Sequence, residues 1–212
     1  MKKVFAIVLI VCLAMTAVFA DKGDFKLGAQ VGFGLDNSTS KTKVLSVDTT
    51  TKTSNSGFYF AAAAEYEFAD NIALKASAGM NLFGKAKTTT SGGSASGTVT
   101  ADDNTPANFA LYFGGQYAFE VNKKLDVIIG AGLDMMSGKL SKGDDAKNNT
   151  RIGLGVEAVI RYALQDGFAL DFGTRFGFYF ANTNSDVKDA IDLADSYSNM
   201  GIKLYAGATF TL

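Results

Sequence analysis

Residues 24–36, DFKLGAQVGFGLD, place Phe25, Leu27, Ala29, Val31, Phe33 and Leu35 at every second position, with charged, amide or glycine residues between them. Side chains of an extended chain point alternately to opposite sides, so this stretch predicts a strand with one apolar and one polar face. The same two-residue period recurs in 57–68, 72–83, 108–120, 125–137, 151–164, 168–180 and 200–212. The cleanest rows are Ile152 to Leu164, and Phe168 to Phe180, where only Thr174 interrupts.

The connections alternate as well. Ala69 to Asn71, Val121 to Lys124 and Gln165 to Gly167 are short turns, whereas 37–56, 84–107, 138–150 and 181–199 are long, polar and rich in Ser, Thr, Asn, Gly and Lys. An even number of strands, with short turns at one end and long loops at the other, is the layout of an all-β, eight-stranded antiparallel up-and-down transmembrane β-barrel. Pro106 falls in a long loop, where it removes no ladder hydrogen bond.

Period alone does not say which face is inside; glycine and charge do. The polar face carries Gly28, Gly32, Gly34, Gly79, Gly114, Gly130, Gly132 and others. An eight-stranded barrel has an interior barely wide enough for side chains, and small residues suit it. A face turned to bulk water has no such reason to prefer residues that weaken strands. Centring one hairpin on Asp70 sets Glu65 opposite Lys75, and centring another on Asp166 sets Glu157 opposite Arg175 and Arg161 opposite Asp171. Opposite charges facing each other support that register, since a one-residue slip would turn each cation toward lipid at ~2–4 kcal/mol. The hairpin at Asn122 and Lys123 needs a five-residue loop or a bulge to keep its faces matched. The apolar face is therefore expected to meet lipid. Phe25, Phe58, Phe68, Phe109, Phe119, Tyr162, Phe168, Phe180 and Phe210 gather toward the strand ends as interfacial girdles.

Composition sharpens the picture. Residues 1–20 join Lys2 and Lys3 to an apolar run ending Val18-Phe19-Ala20, the pattern of a signal peptide, which leaves 21–212 as the barrel domain. Cys12 lies in that run after Val11, a poor context for lipoprotein acylation. With it removed no cysteine remains, and histidine is absent throughout. Disulfides, thiolate metal sites and the usual general bases are thereby excluded, and no catalytic residue, metal site or cofactor is expected. A net charge of −1 without a basic block gives no footprint for nucleic acid.

The chain ends Tyr205-Ala206-Gly207-Ala208-Thr209-Phe210-Thr211-Leu212, a polar-x-Gly-x-x-apolar-x-apolar pattern. In layout and in this motif it resembles the small eight-stranded outer-membrane barrel proteins of the OmpA, OmpX and opacity-protein kind, with OmpW-like barrels as relatives. The resemblance implies a bacterial outer-membrane protein surrounded by outer-membrane lipid. It also implies recognition by the barrel assembly machinery through Tyr205, Gly207, Phe210 and Leu212, although family members usually end in Phe or Trp. Enzymes on such barrels resemble one another in using an active-site histidine, which this chain lacks.

Two functions stay open. One is a non-catalytic surface protein, adhesin-like, whose loops 37–56, 84–107, 138–150 and 181–199 meet a host or envelope ligand while Glu65, Lys75, Glu157, Arg161, Asp171 and Arg175 fill the lumen. The other is a narrow OmpW-like pore for small or hydrophobic solutes, gated by Glu157, Arg161, Asp171 and Arg175. Asp102 with Asp103, and Asp144 with Asp145, read as solvated loop carboxylates rather than calcium ligands, and Val187, Ala190, Ile191 and Ala194 have the spacing of a short helix within 186–197.

Overall fold

The computed structural model describes residues 24–44, 47–92, 97–104, 107–139, 148–183 and 196–212. Its ten strands are β1 (Phe25–Val44), β2 (Val47–Ala69), β3 (Ile72–Phe83), β4 (Lys85–Ser91), β5 (Gly97–Asn104), β6 (Asn108–Asn122), β7 (Leu125–Lys139), β8 (Asn148–Gln165), β9 (Phe168–Asn182) and β10 (Ser196–Thr211). Eight of them, in the order β1-β10-β9-β8-β7-β6-β3-β2, close on themselves through the pairing of β1 with β2. All pairings in the ring are antiparallel. Closure satisfies every ladder within the sheet, which is what lets strands cross a hydrocarbon layer.

The faces fall as the alternation predicts. Val31, Phe33, Phe60, Leu74, Phe113, Leu133, Val156 and Leu204 are exposed on the outside, while Tyr59, Lys75, Asp134, Glu157 and Arg175 are fully buried inside. Of the girdle aromatics, Phe58, Phe68, Phe119, Tyr162, Phe180 and Phe210 stand exposed, and Phe168 packs on Phe210 at 4.7 Å between ring centroids. Phe25 departs from the expected set, being 5% exposed. It sits at the seam of the ring beside its partner Tyr66, and the amide of Leu212 donates to its carbonyl.

The short turns hold. Asp70-Asn71, Lys123-Lys124 and Asp166-Gly167 each close a hairpin beside a bulge, so the bulge anticipated at Asn122 is general to this end of the barrel. Asn71 and Gly167 take left-handed backbone at φ 64° and 74°, as the bulged turn requires.

The long connections differ from expectation. Residues 37–44 and 47–56 are no loop but strand, paired without interruption from Asn37↔Ser54 to Val44↔Val47. Within 84–107, β4 and β5 form a second hairpin, whose β4 pairs with Thr50–Ser54 of β2. The physical cause is threonine: Thr49, Thr50, Thr51, Thr53, Thr88, Thr89 and Thr90 are β-branched and favour strand, but with water on both faces they leave no apolar alternation to read. Residues 138–150 and 181–199 lose their outer parts to strand likewise. Of the helical turn expected at 186–197, Ser196 and Tyr197 are strand, and the remainder lies outside the described residues, as do residues 1–20, Pro106, Asp144 and Asp145.

Candidate functional site

The interior begins at the short-turn end with a cavity of about 240 Å³, lined by Lys26, Glu67, Gln116, Glu120, Asp126 and Arg161 among others. Lys26 Nζ is 2.8 Å from Glu67 Oε2 there. Arg161 forms the inner wall, and beyond it the lumen is crossed by side chains.

Three directly opposed pairs occur in the predicted register: Glu65↔Lys75, Glu157↔Arg175 and Arg161↔Asp171. Their side chains do more than pair along each hairpin. Arg161 donates to Asp171 at 2.8 and 2.9 Å and, across the bore, to both carboxylate oxygens of Glu65 at 2.9 and 3.0 Å. Lys75 Nζ lies 2.5 Å from Glu157 and 3.6 Å from Glu65, and Arg175 grips Glu157 from the other side through two nitrogens. All six groups, three cations and three carboxylates, thus form one connected network. In the ring, β2 and β8 stand diametrically opposite, so Glu65–Arg161 is a tie across the full bore. Ser77 accepts from Arg175 at 3.1 Å, and Thr209 donates to Asp171 at 2.6 Å. Each buried charge is neutralised and hydrogen-bonded, the condition under which burying it is tolerated.

Further groups occupy the same space. Lys203 meets Asp134 at 3.2 Å, and Arg151 meets Asp36 at 2.7 Å near the far end. Tyrosine rings fill what remains: Tyr112 lies under the Arg175 guanidinium at 3.9 Å, Tyr59 faces Lys203 at 5.6 Å, and Tyr205 faces Lys75 at 5.8 Å. Lumen glycine is what admits them. A Cβ on Gly173 would lie 2.4 Å from the Tyr205 ring, and one on Gly177 would lie 2.8 Å from the Tyr179 hydroxyl. The Asp134–Lys203 and Asp36–Arg151 pairs were missed in the sequence because neither lies across a short turn; their position on the polar faces was the available signal.

The terminal motif forms the closing strand. Tyr205 is buried inside, Gly207 faces inward opposite Asp171, Phe210 is 53% exposed on the lipid side, and Leu212 ends the chain beside β1. Among the described residues no group of three or more His, Cys, Asp or Glu is placed to hold a metal ion.

The sequence matches the family described as outer membrane protein beta-barrel domain over residues 5–210. The chain belongs to that family. It is an outer-membrane barrel, and the ring of eight strands is the family's transmembrane wall. Similar solved structures include Neisserial surface protein A at 16% identity, covering 89% of this chain and 97% of that one with a TM-score of 0.58. The N-terminal β-barrel domain of Pseudomonas aeruginosa OprF follows at 11% identity, 90% and 100% coverage and a TM-score of 0.51. OprG from Pseudomonas aeruginosa matches at 13% identity, 90% and 96% coverage and a TM-score of 0.52. At such identities they show the shared barrel fold. No curated protein sequence matches the chain.

Proposed function

We propose that the protein is a non-catalytic surface protein of the outer membrane, whose lumen is shut by the charge network and whose outer hairpins make its contacts with ligands. The observation that carries this reading is the pair of cross-bore ties, Glu65–Arg161 and Lys75–Glu157, in a channel also filled by Tyr59, Tyr112 and Tyr205. Six charged groups and three rings distributed along the interior of an eight-stranded barrel, which is only just wide enough for side chains, support a shut lumen. The chain has no histidine, and Glu65, Asp134, Glu157 and Asp171 are each engaged by Arg or Lys, which speaks against a general base among them. Tyr205, Gly207, Phe210 and Leu212 serve as the terminal signal to the assembly machinery, with residues 1–20 directing export.

The narrow-pore reading has one observation on its side. The hydroxyls of Tyr112 and Tyr179 and the amide of Asn81 are buried without a hydrogen-bond partner, polar surface of the kind a thin hydrated path uses. Conductance of the refolded protein in a planar bilayer, beside Arg175→Ala, separates the two. A silent parent and a conducting variant are expected. Discrete openings in the parent would establish the pore and make the lumen charges selectivity residues.

A further inference from the structure

The strands rise past the lipid-facing belt without a change of register, so the side of the sheet that meets hydrocarbon continues upward as the outward side of the extension. On β1, Lys41 and Lys43 share the parity of Val31 and Phe33. On β2, Lys52 shares the parity of Phe58 and Phe60, and Lys87 of β4 is paired with Ser54 on that same side. Four lysines therefore stand on one face, all exposed. Register makes them neighbours: Lys41 pairs with Thr50 and so lies diagonal to Lys52, and Lys52 pairs with Thr89 and so lies diagonal to Lys87. Diagonal positions on adjacent strands are within about 8 Å. On β1, β2 and β4 the one acid of this face is Asp48, directly opposite Lys43 near the hairpin tip, and no ion pair within 4 Å joins it to any of the four; on the neighbouring β5, Asp102 lies two positions on from Thr100, the partner of Lys87.

A line of like charges on one sheet face is unfavourable by itself and is relieved by an anion. Its height says which anion. Lys41 is six residues beyond Leu35, the last apolar residue of the β1 alternation. At ~3.3 Å per residue and a strand tilt near 40° this is about 15 Å above the hydrocarbon edge, while Lys52 and Lys87, level in register with Thr39 and Asn37, stand about 10 and about 5 Å above it. Phosphates attached directly to acyl glycerol reach only the lower end of that span, whereas phosphates carried on a saccharide headgroup reach its upper end as well. Hydroxyls of Thr39, Thr50 and Thr89 stand between the lysines as further donors. We infer that the outward face of β1, β2 and β4 beyond the membrane docks the phosphate-bearing saccharide headgroups of glycolipids in the same leaflet. The extension would then rest on the surrounding lipid on this side.

The test uses the whole protein refolded into phosphatidylcholine vesicles with and without rough-type lipopolysaccharide, a glycolipid with a phosphorylated core saccharide. Acetylation rates of individual lysines are read by mass spectrometry. With the glycolipid present, Lys41, Lys52 and Lys87 are expected to react at least about fivefold more slowly, while Lys123 and Lys124 at the opposite end of the barrel keep their rates. Equal slowing at both ends, or none, overturns the inference. In detergent, the K41Q/K43Q/K52Q/K87Q variant should bind the same glycolipid more weakly by about fivefold for each lysine removed, with a salt dependence shallower than the parent's. Its heat-shifted electrophoretic mobility reports that the barrel has folded. Unchanged affinity overturns the proposal. Equal binding by the parent of the deacylated saccharide, or tighter binding of a sulfated polysaccharide, also overturns it, because the face would then belong to a soluble glycan.

Discussion

Glu65 and Lys52 stand on the same strand, β2, thirteen positions apart, and the protein treats their charges in opposite ways. Glu65 is 4% exposed and has Arg161 at 2.9 Å and Lys75 at 3.6 Å. Lys52 is exposed, its strand neighbours are Thr39 and Thr89, and it has no ion-pair partner among the described residues. The local strand geometry is alike at the two sites; the solvent differs. In the bore an unpaired charge costs several kcal/mol, so charges there are matched and their partners fixed. Outside, water screens the charge and leaves it free for an external partner.

The largest test of that contrast is Glu157→Ala, which leaves Lys75 and Arg175 facing each other without their shared carboxylate. Loss of ~3–5 kcal/mol is expected from urea unfolding in lipid vesicles. Val156→Arg, one residue away but turned to lipid, should cost ~2–4 kcal/mol in the same assay, and a far smaller loss would put that face in water. Gly173→Ala drives a methyl into the Tyr205 ring and should cost ~1–3 kcal/mol, whereas Gly115→Ala, with nothing within 4 Å of the new carbon, should be neutral or slightly stabilising. At the small end, Lys52→Gln in zwitterionic vesicles should shift stability by no more than ~0.5 kcal/mol.

What the sequence made legible follows from the same physics. Strict alternation placed Val31, Phe60, Leu133 and Leu204 on the outside, because polar groups facing lipid are costly and few interrupt the row. Opposed charges fixed the register of the β2–β3 and β8–β9 hairpins, since each pair lies across a short turn and is visible by counting. Lys75–Glu157 and Glu65–Arg161 were not legible: the partners are 82 and 96 residues apart and meet only because the ring closes. Strand period contains no information on which inward residues face each other across a bore. The β4–β5 hairpin was read as loop for a related reason, as Thr88, Thr89 and Thr90 have polar neighbours on both faces and no core to mark one side. Phe25 kept its parity, yet the seam with β2 and the chain end at Leu212 enclose it.

The claim at the centre is that opposite walls of the barrel are tied through the lumen, and a double-mutant cycle on one tie tests it most directly. Lys75→Met, Glu157→Gln and the double variant would be compared by equilibrium unfolding in vesicles. The ties predict that the double variant is more stable than the two single losses would sum to, by ~1–3 kcal/mol. Additivity within about 0.5 kcal/mol would mean that Lys75 and Glu157 do not interact across the bore.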